Sequence, residues 1–146
     1  MTEVVQAERE AQEALSPIIL RAKSGELSDS SPGEVTAAML VMVGWLPRIS
    51  YLAANAMAKY SAEESKALRN RALTYSQDKG EGMSPSAAKI EADLSPGYAE
   101  LKALASLSEV EFQRLNHLRE DVISCISVLK YVERSQESEA RLTPRA

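Results

Sequence analysis

Five side chains between Lys66 and Lys79 have the types and spacing to hold a phosphate backbone: Lys66, Arg69, Arg71, Tyr75 and Lys79. An arginine guanidinium forks two N–H groups onto one phosphate, and a nearby tyrosine ring gives an unpaired base a surface to stack on. On a helix, Lys66 and Arg69 are i,i+3 neighbours, while Arg71, Tyr75 and Lys79 step by four along another face. The same residues also have a plain structural reading, in which the cations pair with Glu63, Glu64 or another subunit and Tyr75 sits in the core.

Other chemistry finds little support. Nucleophilic catalysis needs a base within reach of the nucleophile, usually a histidine. His117 is the only histidine and Cys125 the only cysteine. Eight residues of helix hold them about 12 Å apart at a rise of about 1.5 Å per residue, which excludes a dyad within one chain. His117 reads as a surface or interface side chain and Cys125 as core filling. The carboxylates Glu63-Glu64, Glu109-Glu111 and Glu120-Asp121 lack the Glu-x-x-His spacing of a di-metal bundle and read as solvated helix faces. Neither GxxxxGK[ST] nor GxGxxG occurs. No enzyme activity, cofactor or metal is expected.

Charge supports a local anion-binding segment. The chain has 146 residues and a formal net charge of −4. Residues 1–34 carry three basic and seven acidic side chains, residues 35–89 seven and four, and residues 90–146 seven and ten. A basic middle lies between acidic flanks, so a patch could bind phosphate although long-range steering would be weak. A lone cysteine fits a reducing, cytoplasmic setting. No secretion leader is read at the N-terminus. The most apolar stretch, Val35 to Leu46, is shorter than the roughly 20 residues of a membrane span and reads as buried helix.

The elements that must position these side chains are helices, since no segment alternates with period two. Thr2 to Leu15 fits a helix with a narrow apolar stripe, which Ser16-Pro17 kinks or restarts. Residues 1–23 are expected to form a separable arm and residues 24–31 a flexible linker. Ser31-Pro32 opens a second helix, with serine at the N-cap, proline at the first helical position and Glu34 in the first turn. It extends to about Lys79, bends at Gly44 and Pro47, and ends at Gly80-Glu81-Gly82. Ser84-Pro85 and Ser95-Pro96 start a short helix and a long one. In the long helix, Leu115, Leu118, Val122, Cys125, Leu129 and Val132 follow 3-4 spacing, a coiled-coil seam expected to pack across subunits. Residues 32–135 form the helical core, and residues 136–146 a tail expected to fray.

The stretch ALRNRALTYSQDKGEG, Ala67 to Gly82, resembles the nucleic-acid-binding segment of the UvsY-like recombination mediators of tailed phages. The shared pattern is two basic residues flanking one position, an apolar-tyrosine pair, then serine and a charged, glycine-containing turn. The later order is also similar, with a short helix rich in Ala and Glu, a Ser-Pro-Gly-Tyr start at Ser95 to Tyr98, and a long helix with apolar heptads. Together these span roughly Tyr51 to Val132. The resemblance implies a ring-forming homo-oligomer of a bacterial host's cytoplasm. Such a protein binds single-stranded DNA, weakens the hold of the single-strand-binding protein and helps load the recombinase. Arg69 and Arg71 match the paired basic positions, Tyr75-Ser76 the tyrosine-serine step, and Lys79, one residue displaced, the basic residue of the turn. The acidic N-terminal segment and the Trp-containing stretch Val35 to Leu46 have no counterpart in that pattern. The expectation is an all-α helical bundle with a long C-terminal helix, assembling into a homo-oligomer, with single-stranded DNA as partner. The alternatives are a non-catalytic structural or adaptor oligomer of phage origin, and a sponge holding anionic small molecules.

Overall fold

The computed structural model describes residues 2–143. The chain is all-α, with no strand among the described residues. Its order is α1 (Glu3–Ser24), a 3-10 turn (Glu26–Asp29), α2 (Pro32–Gly80), α3 (Pro85–Leu94) and α4 (Pro96–Leu142). Each start has local chemistry behind it. Thr2 caps α1 by accepting from the Val5 amide. Ser31 Oγ accepts from the Glu34 amide at 3.3 Å while Glu34 Oε2 accepts from the Ser31 amide at 3.2 Å, a reciprocal capping box. Ser84 Oγ accepts from the Ala87 amide, and Ser95 Oγ from the Tyr98 amide, each at 3.3 Å. The first two helices stop at glycine, while α3 stops at Ser95 in extended conformation. Gly25 ends α1 at φ 80°, and Gly82 follows α2 at φ 90°. Around Gly82, the Met83 amide bonds Asp78 O and the Gly82 amide bonds Lys79 O, the paired closure that a left-handed residue permits.

The chain divides into two compact units, Met1–Leu52 with Leu115–Ala146, and Ala53–Arg114. In the first, α1 is a full partner of the core. It runs through Pro17, which lies on its exposed side, and buries Ala11, Leu15 and Ile19. These pack in one cluster with Leu27, with Val35, Ala38, Met42 and Ile49 of α2, and with Val122, Cys125, Leu129 and Val132 of α4. The expected separable arm is therefore a core helix. The expected flexible linker is a 3-10 turn that plugs Leu27 into the core. Ser30 is buried there too, accepting from Arg21 Nη2 through its hydroxyl and from Gln136 Nε2 through its carbonyl, each at 2.7 Å. That second bond ties down α4 where fraying was expected, and α4 continues to Leu142. Residues 144–146 of the expected tail lie outside the described residues.

The heptad seam is spent inside the chain. Leu115, Val122, Cys125, Leu129 and Val132 are buried, and half-buried Leu118 packs against the core. Their assignment to contacts between subunits is corrected on that ground, because α1 and α2 already cover the face. Val35 to Leu46 is likewise only partly a buried helix. Val35, Ala38 and Met42 point inward, while Leu40 and Val43 are exposed. One stretch of α2 is long and apolar enough to cross a bilayer, but its inward face is committed to this core, as in an amphipathic core helix. Arg48 lies over the Trp45 ring at 4.3 Å, Arg119 Nε donates to Ser50 Oγ at 3.1 Å, and Lys23 pairs with Asp121 at 3.2 Å.

The second unit comprises the later part of α2, α3 and the early part of α4, and its interior is made of small residues. Ala53, Ala56, Ala67, Ala88, Ala92 and Ala105 are buried, with Ser108 and Asp78. Small side chains let helices approach closely. At Gly97, in the first turn of α4, an added Cβ would stand 3.3 Å from Asn70 Nδ2 and 3.4 Å from Asn70 Oδ1. Ser108 donates to Glu63 Oε2, tying α4 to α2.

Candidate functional site

The phase of α2 in the second unit is set by Ala67, which is buried, and by Asp78 eleven residues later, also buried. Residues on that inward side cannot meet a ligand, so the five sequence-predicted side chains divide around it. Arg71 and Tyr75 are half-buried at its margin, whereas Lys66, Arg69 and Lys79 are exposed. Arg69 and Arg71 are about 200° apart around the helix axis, at about 100° per residue. They therefore point to nearly opposite sides, and the five do not form one patch.

Arg71 and Tyr75 line a groove of about 600 Å³ between α2 and α3. Its α2 wall also carries Leu68 and Ala72, and its α3 wall carries Lys89 and Ala92. The volume falls within the range of small-ligand pockets, roughly 300–1,000 Å³. The lining is mostly apolar, with a tyrosine and two cations. Arg71 is held in place: its Nε donates to Asp93 Oδ1 at 2.6 Å, and its guanidinium lies 5.9 Å from the centre of the Tyr98 ring. Because one N–H is spent on Asp93, Arg71 meets a ligand with its remaining donors. Lys89, on the facing helix, is exposed. The groove can therefore receive a flat ring against its apolar lining and an anionic group at Lys89 and Arg71.

Lys89 was missed by sequence reasoning. The signal was present in its being the one cation of the α3 sequence PSAAKIEADL, but nothing local says that α3 lies across from Arg71. Lys66, Arg69 and Lys79 make no ion pair among the described residues and offer their charge to solvent.

A second polar cluster lies between α2 and α4 of the same unit. Burial, then Glu109 and Glu64, push the Tyr60 hydroxyl above its ordinary value, and Tyr60 shares a hydrogen bond with Glu64. In the first unit His117 is exposed and Cys125 buried. Burial and then Asp121 push the Cys125 thiol up, which disfavours the reactive thiolate. Among the described residues, no group of three or more His, Cys, Asp or Glu side chains is arranged to hold a metal. No family model, curated protein or solved structure matches the chain.

Proposed function

We propose that the chain is a non-catalytic single-stranded DNA-binding protein acting as a recombination mediator, assembled from several copies. The observation that carries this reading is the groove, whose lining combines Tyr75 and apolar side chains with the cations Arg71 and Lys89. An unpaired base stacks on such a lining while its flanking phosphates meet the cations. The mediator role, with a recombinase and a single-strand-binding protein as further partners, follows from the resemblance of Ala67 to Gly82 to the UvsY-like segment. Lys66, Arg69 and Lys79 would add charge along the strand outside the groove. One copy presents few cations in an acidic chain, so useful affinity comes from several copies acting on one strand at high effective concentration.

Fluorescence anisotropy of a labelled oligonucleotide across a salt titration tests this. Wild-type affinity should fall with salt, with a slope of about −0.7 per phosphate neutralised. Arg71→Ala with Lys89→Ala should weaken binding and flatten that slope. Tyr75→Ala should cost roughly 1–3 kcal/mol if the ring stacks on a base. Absence of binding by correctly folded protein would sink the function. Undiminished binding by the Arg71, Lys89 double variant would sink the groove as the site.

A structural or adaptor oligomer is the second reading, favoured by large apolar side chains exposed on the second unit, among them Leu68, Ile90, Leu94 and Leu107. It requires assembly with no salt-dependent DNA binding.

A further inference from the structure

The second unit is inverted relative to an ordinary helical core. Its buried apolar residues are all alanines, while Leu104, Leu107 and Val110 of α4 are 52%, 70% and 59% exposed. These three form one stripe at i,i+3 spacing, with Leu107 and Val110 pointing away from buried Ala105 and Ser108 and Leu104 at the stripe's inner edge beside Ser108. Glu100 extends the stripe toward the start of α4 and Arg114 toward its later turns, both exposed. A chain that had these leucines available and buried alanines instead has left a surface for something else to cover.

We infer that this stripe is a two-fold contact, on which α4 of a second copy of the chain lies antiparallel, with Leu107 of both copies at the axis. The register follows from the residues. A two-fold axis at Leu107 pairs position i with position 214 − i. It therefore sets Leu104 against Val110 of the second copy and Glu100 against Arg114 of the second copy, twice over. An isologous contact needs this self-complementarity. Three alternative pairings collide. Parallel pairing puts Glu100, Glu111 and Arg114 each beside its own like charge. A slip of three residues one way brings Glu100 opposite Glu111, and a slip of four the other way brings Leu107 opposite Glu111 and Leu104 opposite Arg114. Like charges and leucine-charge pairs both disfavour those arrangements. Arg114 can meet Glu100 of a second copy while keeping contacts in its own chain, since a guanidinium carries five N–H donors.

This inference does not depend on DNA binding, and its test does not involve DNA. Light scattering of the full chain should give twice 15.9 kDa, or a larger even multiple. Leu107→Glu should remove that association while leaving helicity by circular dichroism unchanged, because the side chain is exposed. Leu107→Cys should form a disulfide with its own copy under mild oxidation, much faster than the equally exposed control Leu40→Cys. Glu100→Arg should weaken association, and adding Arg114→Glu should restore it. A monomeric wild type, an assembly that survives Leu107→Glu, or a Leu107→Cys variant that cross-links no faster than the control would overturn the contact.

Discussion

Asp93 sets the electrostatics of the groove, because its carboxylate lies 2.6 Å from Arg71. The pair leaves Lys89 as the unneutralised cation of the lining. If the groove holds a phosphate backbone, Asp93→Asn should raise affinity for single-stranded oligonucleotide and steepen its salt slope by about 0.7, read by the same anisotropy titration. A purely structural role for the Arg71–Asp93 pair predicts instead that the variant loosens α3, seen as a lower melting temperature, with no change in DNA binding. Only part of this site could be read from the chain. Arg71 and Tyr75 stand out because helix periodicity places them on one face. The partners Asp93, Lys89 and Tyr98 belong to other elements, and spacing along α2 carries no information about them. Arg69 joins Arg71 only through the resemblance, whose paired basic positions they match, whereas helix geometry at about 100° per residue already sets the two on nearly opposite sides.

At the scale of elements, the helix starts were legible and the packing partners were not. Ser31, Ser84 and Ser95 each precede a proline, and each accepts from an amide three residues on, a wholly local device. The stripe of α1 was visible too, but its shortness among charged residues hid that Ala11, Leu15 and Ile19 reach the core. Leu27 is a lone apolar residue in a run of Ser, Asp and Gly, and its burial depends on a cavity formed by distant segments. The seam from Leu115 to Val132 identified a face correctly without saying what covers it. Leu15→Ala should therefore cost about 2–5 kcal/mol of stability, the range for emptying a fully buried leucine site. Denaturant unfolding would measure it. A loss below about 0.5 kcal/mol would mean that α1 is the detachable arm after all.

At the scale of the whole molecule, the two units differ in what holds them. The first buries Leu15, Leu27, Met42, Ile49 and Leu129. The second buries alanines, each of which removes far less apolar surface from water. Amide exchange on the full chain should therefore show α2 losing protection sooner between Ala53 and Gly80 than between Val35 and Leu52. Mass spectrometry of deuterated peptides resolves the two stretches, and uniform protection along α2 would refute the difference. If the α4 contact forms, protection around Leu107 should rise with protein concentration.

The first unit draws its core from both ends of the chain, with Ala11 and Leu15 at one end and Leu129 and Val132 at the other. A ribosome makes the early helices long before the last one. Throughout that interval the inward faces of α1 and α2 have no α4 to cover them, and the nascent chain carries exposed Leu15, Met42 and Ile49. Folding of this unit then waits for α4, and a message truncated before Val122 yields a product whose α1 and α2 faces stay uncovered and prone to aggregate.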